Sequence, residues 1–243
     1  MKHIGLLMVN EENDILQRTL AHNAEFVDCF YALDGTIPEW TSRDIVAGHE
    51  KCARYWHEND LPEWIEPDVC DGTRGWLHDN AVSDHGPDNW FLLLHGDELW
   101  TQDPREITRR INRQRVAVVY NLPFFIPRDG EPWDYDTHPI DQLHWQLGPG
   151  WPEVRMFRGA PGVRYRPDQH FNVTPDGIEL MWYADAPILH YPYRSPEQQA
   201  KRAQVTFDPD NYKRVGYWTD DMIREQMSRP QFRELTSTLA VAA

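Results

Sequence analysis

The chain has 243 residues, with 39 Asp or Glu against 24 Lys or Arg, which gives a formal net charge of −15. A chain of this length buries roughly 70–75% of its unfolded surface and needs no disulfide or metal to fold. The negative charge argues against binding to nucleic acids or anionic membranes, since both need a basic surface. No apolar run approaches the roughly 18 residues of a membrane span, and the early run 4–9 is too short for a signal segment. We therefore expect a cytoplasmic protein with no nucleic-acid partner.

The first half of the sequence predicts strands that alternate with helices. The run 4–9 is continuously apolar, as in a strand buried on both faces, and Asn10 is a candidate cap for a helix near 15–24. Further strands are predicted at 26–33, 90–94 and 116–125. A second helix is predicted after Thr41 or Ser42, with Ile45, Val46, Cys52, Ala53 and Trp56 on its inner face, and a third helix after Asp103-Pro104. This alternation is typical of a mostly parallel sheet with flanking helices.

The second half differs in composition, because Pro, Gly and aromatic residues crowd 123–193. The runs 154–157 and 163–165 flank Gly159-Ala160-Pro161-Gly162, which predicts a small antiparallel hairpin. Ser195-Pro196-Glu197-Gln198 has the capping-box pattern and predicts a helix to about Val205. A last helical region is predicted from near Thr219.

Three predicted strands end in polar residues: Asn10-Glu11-Glu12, Asp34-Gly35-Thr36 and His95-Gly96-Asp97-Glu98. In open α/β sheets the carboxyl ends of parallel strands share one edge, and ligands bind there. The sequence therefore predicts a site at this edge. It contains no Gly-x-Gly-x-x-Gly after the first strand and no Walker motif, which disfavours a dinucleotide site and a P-loop.

Individual residues at these positions have a functional and a structural interpretation. Asp97 and Glu98 follow a buried strand, where carboxylates suit Mg²⁺ or Mn²⁺, but solvated turn residues fit equally well. Arg194 precedes the helix that Ser195 caps, an arrangement that favours phosphate, although surface positions explain it too. His190 follows an apolar pair and fits either a buried hydrogen-bonding His or a metal ligand.

The order and spacing of these motifs resemble the GT-A glycosyltransferases, most nearly those of the family 2 type in bacteria and phages. The resemblance spans residues 3–205. It rests on the segments 10–12, 34–36, 71–77, 90–98 and 190–201. The sequence departs from the family where His95 replaces the first Asp of the Asp-x-Asp metal motif, while Asp97 keeps the second.

The resemblance implies a role for each matching residue. Asn10, Glu12, Asp34, Arg74, His95 and Arg194 would bind the nucleotide, with Asp34 accepting from the imide of the base. Asp97 would hold a divalent cation, Mn²⁺ or Mg²⁺, and His190 would complete its shell. An inverting reaction needs a carboxylate base, which the family supplies after the metal motif. Asp141 is our choice, with Asp134 and Asp136 as alternatives.

The sequence therefore predicts a single GT-A domain over 1–243 that moves a sugar from a nucleotide-diphosphate sugar, such as a UDP-sugar, to a glycan or protein acceptor. Residues 1–125 would bind the donor, 126–215 would form the acceptor side, and 216–243 would be a helical tail. Two other classes remain open: a nucleotidyltransferase on a similar sheet, and a non-catalytic saccharide-binding protein, favoured by the 11 Trp. A metal-dependent hydrolase is a weaker third.

Overall fold

We describe the fold from a computed structural model of the chain. The described residues are 1–10, 12–35, 42–63, 65, 70–126, 132–143, 145–165, 174–192, 194–195, 198 and 233–234. The chain divides into two compact units. The first contains Met1–Asn121 and Pro152–Ile188, and the second contains Leu122–Trp151 and Leu189–Ala243.

Strands and helices alternate through the first part of the chain. The strands are β1 (His3–Val9), β2 (Cys29–Asp34), β3 (Cys52–His57), β4 (Trp90–His95), β5 (Glu98–Trp100), β6 (Val116–Ile126), β7 (Trp145–Arg158), β8 (Leu180–Tyr183), β9 (Ile188–His190) and β10 (Arg233–Glu234). The helices are α1 (Leu16–Ala24), α2 (Arg43–Val46), α3 (Cys70–His85), α4 (Pro104–Thr108) and α5 (Pro139–Gln142). A 3-10 turn covers Glu58–Asp60.

Most strand pairs of the first unit are parallel. β1 lies between β2 and β4 and is parallel to both, β3 is parallel to β2, and β8 is parallel to β6. β7 pairs with β4 in the antiparallel direction. The fold is thus α/β with a mostly parallel, Rossmann-like sheet and flanking helices, as the sequence predicts.

The core of the first unit lies between one face of this sheet and α3. Ile4 and Leu6 of β1 share that face with Phe91 and Leu93 of β4, because the register pairs Ile4 with Phe91 and Leu6 with Leu93. Leu77 and Ala81, one helical turn apart on α3, belong to the same buried cluster. Strands in such a core are apolar over their full length, which explains the runs seen in the sequence.

Several predicted elements are confirmed. They include β1, β2, β4, β6, α1 and the start of α4, where Asp103 caps the helix and Pro104 is its first residue. The prediction that Asn10 caps α1 is wrong. The helix begins after Ile15 with no side-chain cap, and Asn10 lies five residues before Ile15.

The predicted second helix is also wrong beyond its first turn. α2 follows Ser42 as expected but ends at Val46, and Cys52–His57 forms β3. β3 pairs along the free edge of β2, with Leu33 opposite Trp56. The backbone hydrogen bonds of this pairing outweigh the helical spacing of the side chains, since local propensity is a weak prior.

The stretch after Gly159-Ala160-Pro161-Gly162 pairs differently from the prediction. A turn forms there, with the Val163 N–H donating to the carbonyl of Ala160 at 3.0 Å. Arg164 then bridges to Asp176, whereas 156–158 of β7 pair with β4.

In the second unit, the end of β6 pairs with β9 at Phe124 and His190, and β10 pairs with β7 at Gln146. The Gln198 N–H donates to the Ser195 hydroxyl at 3.2 Å, the contact that the capping-box pattern predicts. The expected continuation to Val205 and the helical region near Thr219 lie outside the described residues.

The described part of the chain contains no helix that is both long enough and apolar enough to cross a membrane.

A buried asparagine ties α1 to β5. The Asn23 side-chain amide donates to the carbonyl of Glu98 at 2.7 Å, and its oxygen accepts from the Trp100 N–H at 3.1 Å. Both backbone groups belong to the strand that follows Asp97, so this residue fixes the polar strand end against the helix.

We predict that Asn23→Ala lowers the free energy of unfolding by about 2–6 kcal/mol, because two buried backbone groups lose their partners at about 1–3 kcal/mol each. Urea denaturation measures the change. Asn80→Ala is the control: Asn80 donates to the carbonyl of Trp76 within α3 and accepts a long, exposed contact from Arg54 at 3.5 Å, so its loss should stay within about 0.5 kcal/mol. Equal effects of the two changes would contradict this role for Asn23.

Candidate functional site

The parallel register brings three strand ends to one edge of the sheet. Val9, the last residue of β1, lies opposite Asp34, the last residue of β2. Met8 lies opposite His95, the last residue of β4. Asn10, Asp34 and His95 therefore mark a single edge, which we call the strand-end edge. It is the position where parallel α/β sheets bind their ligands.

Glu12 folds back over this edge. Its carboxylate accepts a hydrogen bond from the Asn10 N–H, and its carbonyl accepts from Ile15 and Leu16 at the start of α1. A Cβ atom at Gly96 would lie 3.0 Å from the Glu12 carboxylate. Glycine at position 96 thus allows the β4–β5 turn to approach Glu12, while Asn10 itself is exposed.

Asp34 is completely buried. Its Oδ2 accepts from the Tyr55 hydroxyl at 2.8 Å and from the Ser42 N–H at 3.0 Å. These donors fix the orientation of the carboxylate at the end of β2. Tyr55 comes from β3, so the strand that the sequence mistakes for a helix supplies this contact.

His95 is surrounded by two buried arginines and a buried glutamate. Its Nε2 lies 3.3 Å from Arg74 Nη2 and 3.3 Å from Arg155 Nη1. Its Nδ1 lies 3.4 Å from Glu98 Oε1. Arg155 also forms ion pairs with Glu98 at 2.6 Å and with Glu153 at 2.7 Å. We call Arg74, His95, Glu98, Glu153 and Arg155 the arginine network.

Three residues of the β4–β5 connection have the donor set of a metal site. His95, Asp97 and Glu98 each offer a ligand atom, and these atoms lie within 4.8 Å of one another. Divalent Mg²⁺ commonly binds one or two carboxylates and completes its shell with water and substrate phosphates. Glu98 is paired with Arg155. Asp97, the residue that the sequence singles out for the cation, is a buried carboxylate in the turn between β4 and β5.

The second unit holds the other residues that the sequence singles out for the metal and the phosphates. His190 is in β9, with its ring edge-to-face against Phe124 at 4.8 Å. Arg194 is completely buried, and its Nη1 donates to the carbonyl of Tyr191 at 2.7 Å. The surface interpretation of Arg194 therefore fails. The roles of both residues toward a metal or a diphosphate stay predictions.

The three candidate bases lie in the same loop region. Asp141 is an exposed residue of α5. Asp134 accepts from the Thr137 hydroxyl at 2.7 Å and from the Asp136 N–H at 2.9 Å. The bond from Thr137, with help from the Asp136 N–H, lowers the pKa of Asp134 below its usual range, which weakens this carboxylate as a proton acceptor.

Sequence reasoning misses two residues that the site depends on, Arg155 and Tyr55. Arg155 interrupts the apolar sequence Val154, Met156, Phe157, and a charge in a buried strand requires a partner. That signal was present in the sequence, but the identity of the partner depends on the sheet. Tyr55 gives no such signal, because an aromatic residue fits a helix face and a strand equally well.

Comparison with known proteins gives matches at the level of structure. No family model matches the chain, and no curated protein sequence matches it. TarS from S. aureus is similar over 88% of this chain and 68% of its own, with 11% identity and a TM-score of 0.45. A 4-diphosphocytidyl-2C-methyl-D-erythritol synthase is similar over 84% and 98%, with 12% identity and a TM-score of 0.40.

A third similar structure is a glycosyltransferase involved in the glycosylation of the major capsid of PBCV-1. It covers 54% of each chain, with 14% identity and a TM-score of 0.24. At such identities and TM-scores, the function has to be argued from the side chains of the strand-end edge.

We predict that Tyr55→Phe lowers the free energy of unfolding by about 1.5–3 kcal/mol, the usual contribution of a hydrogen bond to a charged group. The phenyl ring keeps the packing and removes only the donor to Asp34. Thermal or urea unfolding measures the loss. Tyr183→Phe removes a hydroxyl from a residue that is 70% exposed and should leave stability unchanged, so similar losses in the two variants would refute the Asp34 contact.

Proposed function

We propose that the protein is a glycosyltransferase that uses a nucleotide-diphosphate sugar as donor. The observation that carries the proposal is the strand-end edge: parallel strands β1, β2 and β4 end together in a set of mostly buried polar residues. These residues combine carboxylates that suit a ribose, a base or a cation with an arginine that suits phosphate. The family resemblance of the sequence points to the same residues.

In this proposal the edge binds the nucleoside and the phosphates. Asp34, whose carboxylate is already oriented by Tyr55 and Ser42, accepts from the imide of the base. Asn10 and Glu12 lie beside it and take the ribose. Arg74 approaches from α3 and contributes positive charge near His95, where the phosphates of the donor are expected.

Departure of the nucleoside diphosphate leaves negative charge on its phosphates, which the site must stabilise. A divalent cation held by Asp97 supplies that stabilisation when bound. The second-unit roles, with Asp141 as the base, His190 at the cation and Arg194 at a phosphate, are part of the proposal. The proposal also divides the chain into a donor half, 1–125, and an acceptor side, 126–215. It further includes a cytoplasmic location.

The direct test is donor hydrolysis by the purified chain. A glycosyltransferase without acceptor slowly releases UDP and free sugar from a UDP-sugar, with water replacing the acceptor. A nucleotidyltransferase would instead release pyrophosphate from a nucleoside triphosphate and a sugar phosphate. A saccharide-binding protein would release neither, and its melting temperature would rise with sugars but not with UDP.

We predict that Asp97→Asn reduces UDP release by about 10²–10³-fold, the usual loss when one charge-stabilising group is removed. The amide preserves the size of the side chain, so the melting temperature should stay near that of the wild type. Asp79→Asn, an exposed carboxylate of α3, is the control and should keep full activity. Near wild-type release by Asp97→Asn would refute the role of Asp97.

We predict that Asp34→Asn weakens UDP and TDP binding by about 5–30-fold, equivalent to the roughly 1–2 kcal/mol of one hydrogen bond. The amide still accepts from Tyr55 but interacts less strongly with an imide N–H. Binding of CDP, whose base has no imide, should change less. Calorimetry with the three nucleotides measures the difference, and equal losses for all three would contradict recognition of the base by Asp34.

A further inference from the structure

Arg155 is a buried charge placed among carboxylates. It lies in β7, and it is 2% exposed. Its Nη2 contacts both Glu98 Oε1 at 2.6 Å and Glu153 Oε2 at 2.7 Å. Burial of an unpaired charge is very costly, so two carboxylates around one guanidinium form a set in which each group depends on the others.

The same guanidinium also approaches His95. Arginine donates hydrogen bonds and has no acceptor. Because Arg74 and Arg155 both lie near Nε2 of His95, that nitrogen can interact with them only through its lone pair. Nδ1, the other ring nitrogen, lies 3.4 Å from Glu98 Oε1. The lone pair that a metal would need is thus directed at guanidinium groups.

We propose that Arg155 is a positioning residue that acts as a built-in cation for this cluster. It pairs with Glu98 and Glu153 and, together with Arg74, approaches the Nε2 atom of His95, so that the cluster of His95, Asp97 and Glu98 binds a divalent cation only weakly in the free protein. In one respect the inference rests on the proposed function: a cation held by Asp97 would need the phosphates of the donor as further ligands, in place of Glu98 and His95.

The test removes the guanidinium and measures Mn²⁺ binding without any nucleotide. Arg155→Met keeps the aliphatic part of the side chain and deletes its charge, which removes the guanidinium from Glu98 and Glu153 while Arg74 still approaches His95. We expect the variant to have a lower melting temperature than the wild type in EDTA and to recover part of it in Mn²⁺. We expect its affinity for Mn²⁺, measured by electron paramagnetic resonance, to be at least about tenfold higher.

The difference between the two proteins in Mn²⁺ can be stated in advance. A tenfold gain in affinity corresponds to about 1.4 kcal/mol. At Mn²⁺ concentrations well above both dissociation constants, Mn²⁺ should therefore raise the melting temperature of the variant by about 3–6 °C more than that of the wild type, at about 2–4 °C per kcal/mol for a chain of this length. A residue with only a structural role would lower the melting temperature without changing the affinity for Mn²⁺.

Two control variants isolate the effect. Arg158→Met removes another arginine of β7, whose partner Asp88 has a half-exposed side chain, and should not gain Mn²⁺ affinity. The double variant Arg155→Met/Glu98→Gln should not show the higher Mn²⁺ affinity of Arg155→Met, because Glu98, the carboxylate that pairs with the guanidinium in the wild type, is replaced by an amide.

Two results would overturn the proposal. One is equal Mn²⁺ affinity in the wild type and in Arg155→Met. The other does not require Arg155→Met to fold, because Glu98→Gln keeps the shape of the side chain and leaves Arg155 its second carboxylate, Glu153: Glu98→Gln alone should leave the weak Mn²⁺ binding of the wild type unchanged, and a loss there would make Glu98 a ligand. Since no nucleotide is present, these results stand whether or not the protein hydrolyses a UDP-sugar.

Discussion

The parallel register of β1 with β2 and β4 is the constraint on which the rest of the site depends. It places Val9 beside Asp34 and Met8 beside His95, so that residues far apart in sequence share one edge. A shift of one residue in either pair would turn every side chain to the other face of the sheet. Leu6 and Leu93 would then leave the core under α3, so the same apolar rows that stabilise the fold also fix the position of the functional side chains.

Much of this arrangement can be predicted from the sequence because it depends on local patterns. Uninterrupted apolar runs identify β1 and β4, and polar residues directly after them identify the edge. What cannot be predicted depends on contacts between distant segments. β3 forms because β2 offers a free edge, and nothing in Cys52–His57 itself signals that. α3 escapes prediction because Gly72 and Gly75 lie in its first turns, where glycine disfavours a helix, although Leu77 and Ala81 keep the spacing of a buried face.

The arginine network likewise combines a feature that the sequence reveals with contacts that only the fold creates. A buried Arg155 can be anticipated from its apolar neighbours, but its partners come from β4, β5 and β7. A motif read along the chain presents His95, Asp97 and Glu98 as three equivalent ligand candidates. In the fold, an arginine from a strand about 60 residues later contacts two of them, His95 and Glu98.

The overall charge and the local charge of this protein bear on different kinds of anionic ligand. A nucleic acid covers a surface many Debye lengths across, and at physiological salt a Debye length is about 8 Å. It therefore experiences the net charge of −15 as repulsion. A diphosphate is smaller than one Debye length, so distant surface carboxylates are screened from it. At that range the nearest charges decide, because charges interact more strongly where water is excluded. Arg155 is already paired with Glu98 and Glu153, so in the proposed function the buried Arg74 and a cation at Asp97 would have to supply the positive charge for a diphosphate.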